Sequence, residues 1–179
     1  IAKTKSWYND TVFIIVADHS FAANNANTSL NSKLPYYRNR LGIYSIPFVV
    51  FDPTKPVGVI DKRPAHHVDI LPTALDLANY NGTYFSFGQS LLQKANGQNY
   101  VVHFSNHLYH IVDEEFILLF DGVNSKSLFN HKDDPELTNE LLGRPMYSER
   151  IKKLEQKIKA IIQTYSNSMI NNRLSYSAH

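Results

Sequence analysis

Hydrophobic residues in the first half of the chain occur in short runs, and polar residues follow each run. Residues 12–16 are β-branched or aromatic, which is typical of a strand buried on both faces in a parallel sheet. A second run, residues 46–51, is bounded by Pro47 and Pro53 and predicts another such strand. Apolar residues then recur at helical spacing over residues 69–79, with Asp69 as the expected N-cap. This order predicts an α/β fold.

The pattern changes near residue 98 to short alternating runs with tight joins. It predicts an antiparallel meander with strands at residues 100–104, 107–112, 115–120 and 126–130. A short helix is expected at residues 135–143 and a long one at residues 147–173. The long helix has an apolar face and a lysine-rich face, which favours a helix packed across the sheet over one that binds a membrane or a partner.

We therefore expect three segments in this chain. Residues 1–97 form an α/β portion with a parallel sheet and flanking helices. Residues 98–134 form the antiparallel meander of the same domain, and residues 135–179 form a helical tail packed on it.

Composition excludes several classes of function. The 179 residues are 43% hydrophobic and 19% charged, as in an ordinary soluble globular chain. A net charge of +2 gives no electrostatic case for binding nucleic acid. The absence of cysteine rules out disulfides, zinc-thiolate sites and cysteine nucleophiles within these residues. No run approaches the roughly 18 apolar residues of a membrane-spanning helix.

Asp18 and His19 follow the first predicted strand directly. Ligands of open α/β sheets bind off the carboxyl ends of the strands, and a carboxylate beside an imidazole can share one divalent cation there. The alternative is that Asp18 caps the next element and His19 is a hydrogen-bonded neighbour.

A chain that begins Ile1-Ala2-Lys3 and reaches a strand within a dozen residues also looks like a piece of something longer.

Four stretches in this order resemble a known family. They are V-F-I-I-V-A-D-H-S, G-I-Y-S-I-P-F-V-V-F-D-P, H-H-V-D-I-L-P-T-A-L-D-L and F-G-Q-S-L-L. Together they resemble the C-terminal half of the catalytic domain of the sulfatase family in the alkaline phosphatase superfamily, which implies that residues 1–97 are the C-terminal portion of its α/β catalytic core. Within it, the chain is most similar to the lipoteichoic acid synthase-like branch of bacteria, particularly the forms of Bacteroidetes.

The resemblance implies a metal-dependent enzyme that acts on sulfate or phosphate esters, as a sulfuric ester hydrolase or a phosphoglycerol-type transferase. Asp18 and His19 would be metal ligands, for Mn, Mg, Ca or Zn. The nucleophile would come from an earlier N-terminal half, so no catalytic residue is expected here and this fragment is expected to be inactive. The full-length protein would lie in the cell envelope, at the extracytoplasmic face of the cytoplasmic membrane.

Two further residues are candidates for binding the substrate anion. Lys33 lies roughly in the region where sulfatases place a lysine that touches the sulfate, although a loop lysine is more often simply solvated. His67 precedes a helix and could face the anion, or be a hydrogen-bonded structural histidine. Many sulfatases continue the Asp-His pair with glycine and an acid, whereas Ser20 and Phe21 follow here. That departure favours the lipoteichoic acid synthase-like branch over a strict sulfatase.

A competing hypothesis is a non-catalytic module that binds the cell envelope or a partner through the meander and the long helix. We also expect the sheet to expose an apolar area where the missing N-terminal half would dock, which predicts self-association of the fragment.

Overall fold

Two short strands pair antiparallel in the first of two units, Ile1–Asp61. The computed structural model describes residues 1–20, 39–56, 58, 60–93 and 99–175. Strand β1 (Phe13–Val16) runs against β2 (Phe48–Phe51), with Phe13 opposite Phe51. Because the rings of Phe13 and Phe51 lie 5.9 Å apart and both neighbour Tyr8, aromatic contacts stabilise this pairing.

The pairing differs from the sequence expectation, since the described residues contain no parallel strand pair. A hydrophobic run does not encode strand direction, and the long connection between β1 and β2 permits either one. Burial differs as well, because Ile15 is 59% exposed and Val49 46% exposed. The predicted strands are therefore present, but neither is buried on both faces.

The second unit, Lys62–His179, contains a four-stranded antiparallel meander in the order β3-β4-β5-β6. Its strands are β3 (Val101–Ser105), β4 (Leu108–Val112), β5 (Phe116–Phe120) and β6 (Ser125–Asn130). Asn106 and His107 join β3 to β4 with φ angles of 50° and 62°, as a two-residue hairpin turn requires. These strands confirm the predicted meander within two residues at each boundary.

The long helix packs on one face of the meander. Helix α2 (Ser148–Ile170) places Leu154 and Ile158 against Leu118 and Phe120 of β5. Ile158, Leu118 and Phe120 are each 0% exposed. The predicted helix is thus confirmed, and its apolar face completes the core of the unit. No helix in the described segments is long and apolar enough to cross a membrane.

The prediction of a short helix at residues 135–143 is wrong, because that segment forms turns. The carboxylate of Asp134 accepts hydrogen bonds from the backbone amides of Thr138 and Asn139, each 2.7 Å long. Leu137 adopts a φ of 55°, and Glu140 accepts from the amides of Leu128, Leu141 and Leu142. Local side-chain bonds therefore replace the helical ladder.

Asp69 connects helix α1 (Ile70–Leu77) to the segment that comes after the helix. Asp69 is 8% exposed and does not cap α1 with its side chain, contrary to the expectation. Its carboxylate accepts from the amides of His66 at 2.8 Å and Gln89 at 2.9 Å instead. A Cβ on Gly88 would lie 2.1 Å from the carbonyl oxygen of Val68, so only glycine permits this approach.

Candidate functional site

Asp18 and His19 lie just beyond the carboxyl end of β1. Asp18 Oδ1 accepts a 2.9 Å hydrogen bond from the amide of His19, and Asp18 Oδ2 lies 3.6 Å from His19 Nε2. The side chains are 88% and 81% exposed, respectively. Both groups are therefore accessible from solvent, and one carboxylate oxygen keeps its full capacity to bind a cation.

The ring of His19 contacts its neighbour in the chain. His19 Nδ1 lies 2.9 Å from the carbonyl oxygen of Ser20, which can only accept, so this contact is a hydrogen bond when Nδ1 carries a proton. In the neutral ring with that proton position, the lone pair is on Nε2, beside Asp18. Metal-binding histidines typically use the same arrangement, in which one ring nitrogen donates to a carbonyl and the other binds the ion.

The donor set fits a divalent cation. Donor atoms that share a cation at about 2.1 Å lie roughly 3.0 to 3.6 Å apart, depending on the coordination angle. The separation of Asp18 Oδ2 and His19 Nε2 falls in this range. No third Asp, Glu or His joins them among the residues that the structure describes. The structure thus brings two possible donor atoms together here, and a complete cation site needs further donors.

Ser20 anchors the segment that carries the pair. Its hydroxyl donates to the carbonyl of Ile43, which lies in the 3₁₀ turn Gly42–Tyr44. Asn39 caps that turn by accepting from the amides of Leu41 at 2.8 Å and Gly42 at 2.7 Å. In the sequence, Ser20 stands out only as a departure from the sulfatase pattern. The one sign of its anchoring role is that serine has a hydroxyl group able to donate a hydrogen bond.

Of the two candidate substrate-binding residues, the structure describes only His67. Lys33 lies outside the described residues. His67 is exposed in the 3₁₀ turn His67–Asp69 of the second unit, with its ring centroid 6.4 Å from that of His66. Contact of His67 with a substrate anion stays a prediction.

Three imidazoles that the sequence analysis leaves unconnected come together in the second unit. His103 and His110 are cross-strand partners on β3 and β4, with ring centroids 4.4 Å apart. Burial, and then the neighbouring His110 and His66, lower the pKa of His103 to about 4. Burial also lowers the pKa of His66. Counting outward from the Asn106-His107 turn would have paired His103 with His110.

We expect this pair to make the second unit acid-labile. Because the pKa of His103 is about 4 in the folded chain and about 6.5 unfolded, the unfolded state alone binds a proton between these values. Stability from neutral His103 is present above pH 6.5 and is lost as the pH falls to 4. After allowance for partial exposure, we expect a loss of about 1 to 3 kcal/mol.

The variant His103→Asn should reduce this loss in urea unfolding measured from pH 7 to pH 4. His107→Asn is the matched control, because His107 is exposed in the turn and asparagine tolerates its positive φ. Equal acid sensitivity of the two variants would contradict the assignment to His103.

Comparison of the sequence with protein families gives one match. A sulfatase family model matches residues 2–80, which include β1, Asp18, His19, β2 and α1. No curated protein matches the sequence.

Several solved structures share the fold over nearly the whole chain. A protein of the alkaline phosphatase superfamily from Vibrio parahaemolyticus has a TM-score of 0.70 at 20% identity, over 98% of this chain and 39% of its own. A candidate sulfatase from Bacteroides thetaiotaomicron has a TM-score of 0.60 at 19% identity, over 94% and 39%. A 2-O GAG sulfatase has a TM-score of 0.60 at 18% identity, over 94% and 40%.

These matches confirm the predicted α/β fold class, which the chain shares with a protein of the alkaline phosphatase superfamily. The chain is similar to sulfatases over residues 2–80 by sequence and to a 2-O GAG sulfatase over 94% of its length by fold. It spans about two fifths of the length of the structures that it matches. Any activity of the whole protein is therefore a proposal.

Proposed function

We propose that this chain is part of a metal-dependent enzyme that hydrolyses sulfate esters, with Asp18 and His19 as two ligands of its cation. The observation that carries the proposal is the 3.6 Å separation of Asp18 Oδ2 and His19 Nε2, just beyond the end of β1. The sulfatase family match over residues 2–80 supports the ester class.

A bound Mn, Mg, Ca or Zn ion would neutralise negative charge on the reacting ester and lower the pKa of a nucleophile. The chain's own residues prepare for this ion. Asp18 would supply a hard anionic oxygen, and His19 would supply Nε2 while its Nδ1 donates to the carbonyl of Ser20. The hydrogen bond from the hydroxyl of Ser20 to the carbonyl of Ile43 holds the residue that follows His19 in place.

A phosphoglycerol-type transferase of the lipoteichoic acid synthase-like branch is the second candidate. Ser20 favours it, because it stands where many sulfatases have glycine after the Asp-His pair. A phosphate monoester carries up to two negative charges and a sulfate monoester one, so the two substrates demand different positive charge around the site. Comparing the hydrolysis of matched nitrophenyl sulfate and phosphate esters distinguishes them.

The proposal includes the surroundings of the enzyme. An N-terminal half would dock on the exposed apolar side chains of β1 and β2, including Ile15, Val49 and Phe51. That half would contribute the nucleophile, and the whole would act at the extracytoplasmic face of the cytoplasmic membrane. The location rests on the resemblance alone, and recovery of the full-length protein in the cytosolic fraction would refute it.

We expect the full-length protein to cleave a nitrophenyl sulfate or phosphate ester in a metal-dependent manner, and this chain alone to be inactive. The reason is that the expected nucleophile is not among these residues. The test compares both proteins after chelation and after return of Mn, Mg, Ca or Zn. Turnover by the pure chain would overturn the proposed division of the site, and full activity after exhaustive chelation would overturn the metal requirement.

We also expect the isolated chain to self-associate through β1 and β2. Their exposed apolar side chains form an unpaired sheet surface of the kind that drives association. Sedimentation velocity over a range of concentrations should show dimers or larger species, and Val49→Lys should reduce them. A strictly monomeric profile at high concentration would count against this expectation.

A further inference from the structure

His66 begins the turn that precedes α1 and takes part in a reciprocal capping box. Its Nδ1 accepts a 3.2 Å hydrogen bond from the amide of Val68. Its own amide donates to Asp69 Oδ2 at 2.8 Å, so each end of the turn caps the other. The usual N-cap acceptors are oxygens of serine, threonine, aspartate or asparagine, and none of these takes up a proton near neutral pH. An imidazole in this position makes the cap sensitive to pH.

The same ring joins the turn to the meander. His66 is half-buried, and its ring donates a hydrogen bond to the backbone of Val102 in β3. β3 is an outer strand of the meander, and outer strands present backbone groups that no neighbouring strand satisfies. His66 with its two contacts, to Val68 and to Val102, is called the His66 clasp below. It holds the turn and the edge of β3 together.

Titratable groups surround the His66 clasp on both sides. The turn itself contributes His67 and the carboxylate of Asp69, and the meander contributes His103 of β3 and its cross-strand partner His110 of β4. The rings of His103 and His110 are 4.4 Å apart. The carboxylate of Asp69 already accepts from two backbone amides. Acidification would therefore bring several positive charges together, and Asp69 would offset only part of their repulsion.

Protonation of His66 would break the cap directly. The amide of Val68 can only donate, so this hydrogen bond requires a lone pair on Nδ1. An imidazolium ion carries a proton on both nitrogens, so two N–H groups would face each other across 3.2 Å. Burial lowers the pKa of His66 and outweighs the opposing effects of Asp69 and Val102. The closed clasp thus excludes a proton that the open turn binds.

We propose that the His66 clasp is a pH-sensitive switch, which holds the turn before α1 on the edge of β3 at neutral pH and releases it in acid. Release frees the turn that carries His67 and exposes the backbone of Val102. It is distinct from the acid-induced loss of stability expected for His103, because one turn opens while the strands of the meander stay paired.

The direction of the pH effect follows from the proton balance. In the open turn, His66 has the ordinary histidine pKa of about 6.5, and in the closed clasp its pKa is lower. The closed state is therefore fully favoured above about pH 6.5. Below that pH, the equilibrium constant for opening should rise about tenfold per pH unit, until the pH reaches the pKa of the closed state.

Hydrogen–deuterium exchange of the full-length protein, measured by mass spectrometry from pH 7 to pH 5, tests this switch. Dividing the intrinsic exchange rate at each pH by the observed rate gives the protection of each segment. We expect the protection of residues 66–69 to fall about tenfold per pH unit below about pH 6.5, while residues 116–120 of β5 stay protected.

Two variants of His66 separate the cap from its titration. His66→Asn keeps an N-cap acceptor that does not titrate, so the protection of residues 66–69 should stay within about twofold over this pH range. His66→Leu removes the acceptor, so protection should be low at every pH. His107→Asn is the matched control, because His107 is an exposed imidazole in another turn of the same unit. It should keep the pH dependence of the unchanged protein.

Three results would overturn the proposal. These are a protection of residues 66–69 that does not change with pH, the same pH dependence in His66→Asn and His107→Asn, and a parallel loss of protection in β5, which would indicate unfolding of the whole unit. Asp18 and His19 take no part in the His66 clasp. Each of these results therefore leaves the proposed ester hydrolysis to its own test.

Discussion

Alanine at both Asp18 and His19 should remove metal-dependent ester cleavage from the full-length protein. We expect turnover to fall at least about a thousandfold, or roughly 4 kcal/mol of transition-state stabilisation, because the cation loses both ligands. Metal affinity, measured by isothermal titration with Mn, Mg, Ca and Zn, should fall with it. Asp18→Asn should give an intermediate loss, since it removes the charge but keeps the shape.

Stability provides the internal control for this double variant. Since the two side chains are 88% and 81% exposed, their removal should change the free energy of unfolding by less than about 0.5 kcal/mol. Asp10→Ala, another exposed aspartate in the same unit, should leave both turnover and metal affinity unchanged. Unchanged cleavage and metal binding in the double variant would refute the assignment of Asp18 and His19.

The second large effect concerns the core between α2 and the meander. Ile158 is 0% exposed and lies in the cluster formed with Leu118, Phe120 and Leu154. Ile158→Ala should lower the free energy of unfolding by about 2 to 5 kcal/mol, because it removes buried methyl groups and leaves a cavity. Equilibrium unfolding in urea, followed by far-ultraviolet circular dichroism, measures the change.

Ile170→Ala is the matched control on the same helix. Ile170 ends α2 and is 81% exposed, so its truncation should cost less than about 0.5 kcal/mol. Similar losses for the two variants would show that α2 is not held to β5 by this face. A large loss for Ile158→Ala alone supports the packed helix over the competing hypothesis of a helix held free for a membrane or a partner.

The hydrophobic pattern of the sequence predicted the strands and the long helix of the second unit, but it predicted less of the first unit. Strands β3 to β6 could be predicted because short apolar runs are separated by turn residues, and helix α2 because its apolar residues repeat on one face. The segment at residues 135–143 failed because Asp134 and Glu140 bind nearby amides, and helix propensity does not include such bonds. The prediction of parallel pairing for β1 and β2 failed because a run of hydrophobic residues does not indicate which way a strand runs relative to its neighbour.

The candidate site shows the same division. The residue types of Asp18 and His19 and their place after a hydrophobic run are local properties, so the sequence by itself determined that a carboxylate and an imidazole follow β1. Only the tertiary structure decided how the segment that carries them is held, since the hydroxyl of Ser20 donates to the carbonyl of Ile43, 23 positions along the chain. It also decided that His66 contacts Val102, because residues 36 positions apart meet only when the turn before α1 and the meander fold together.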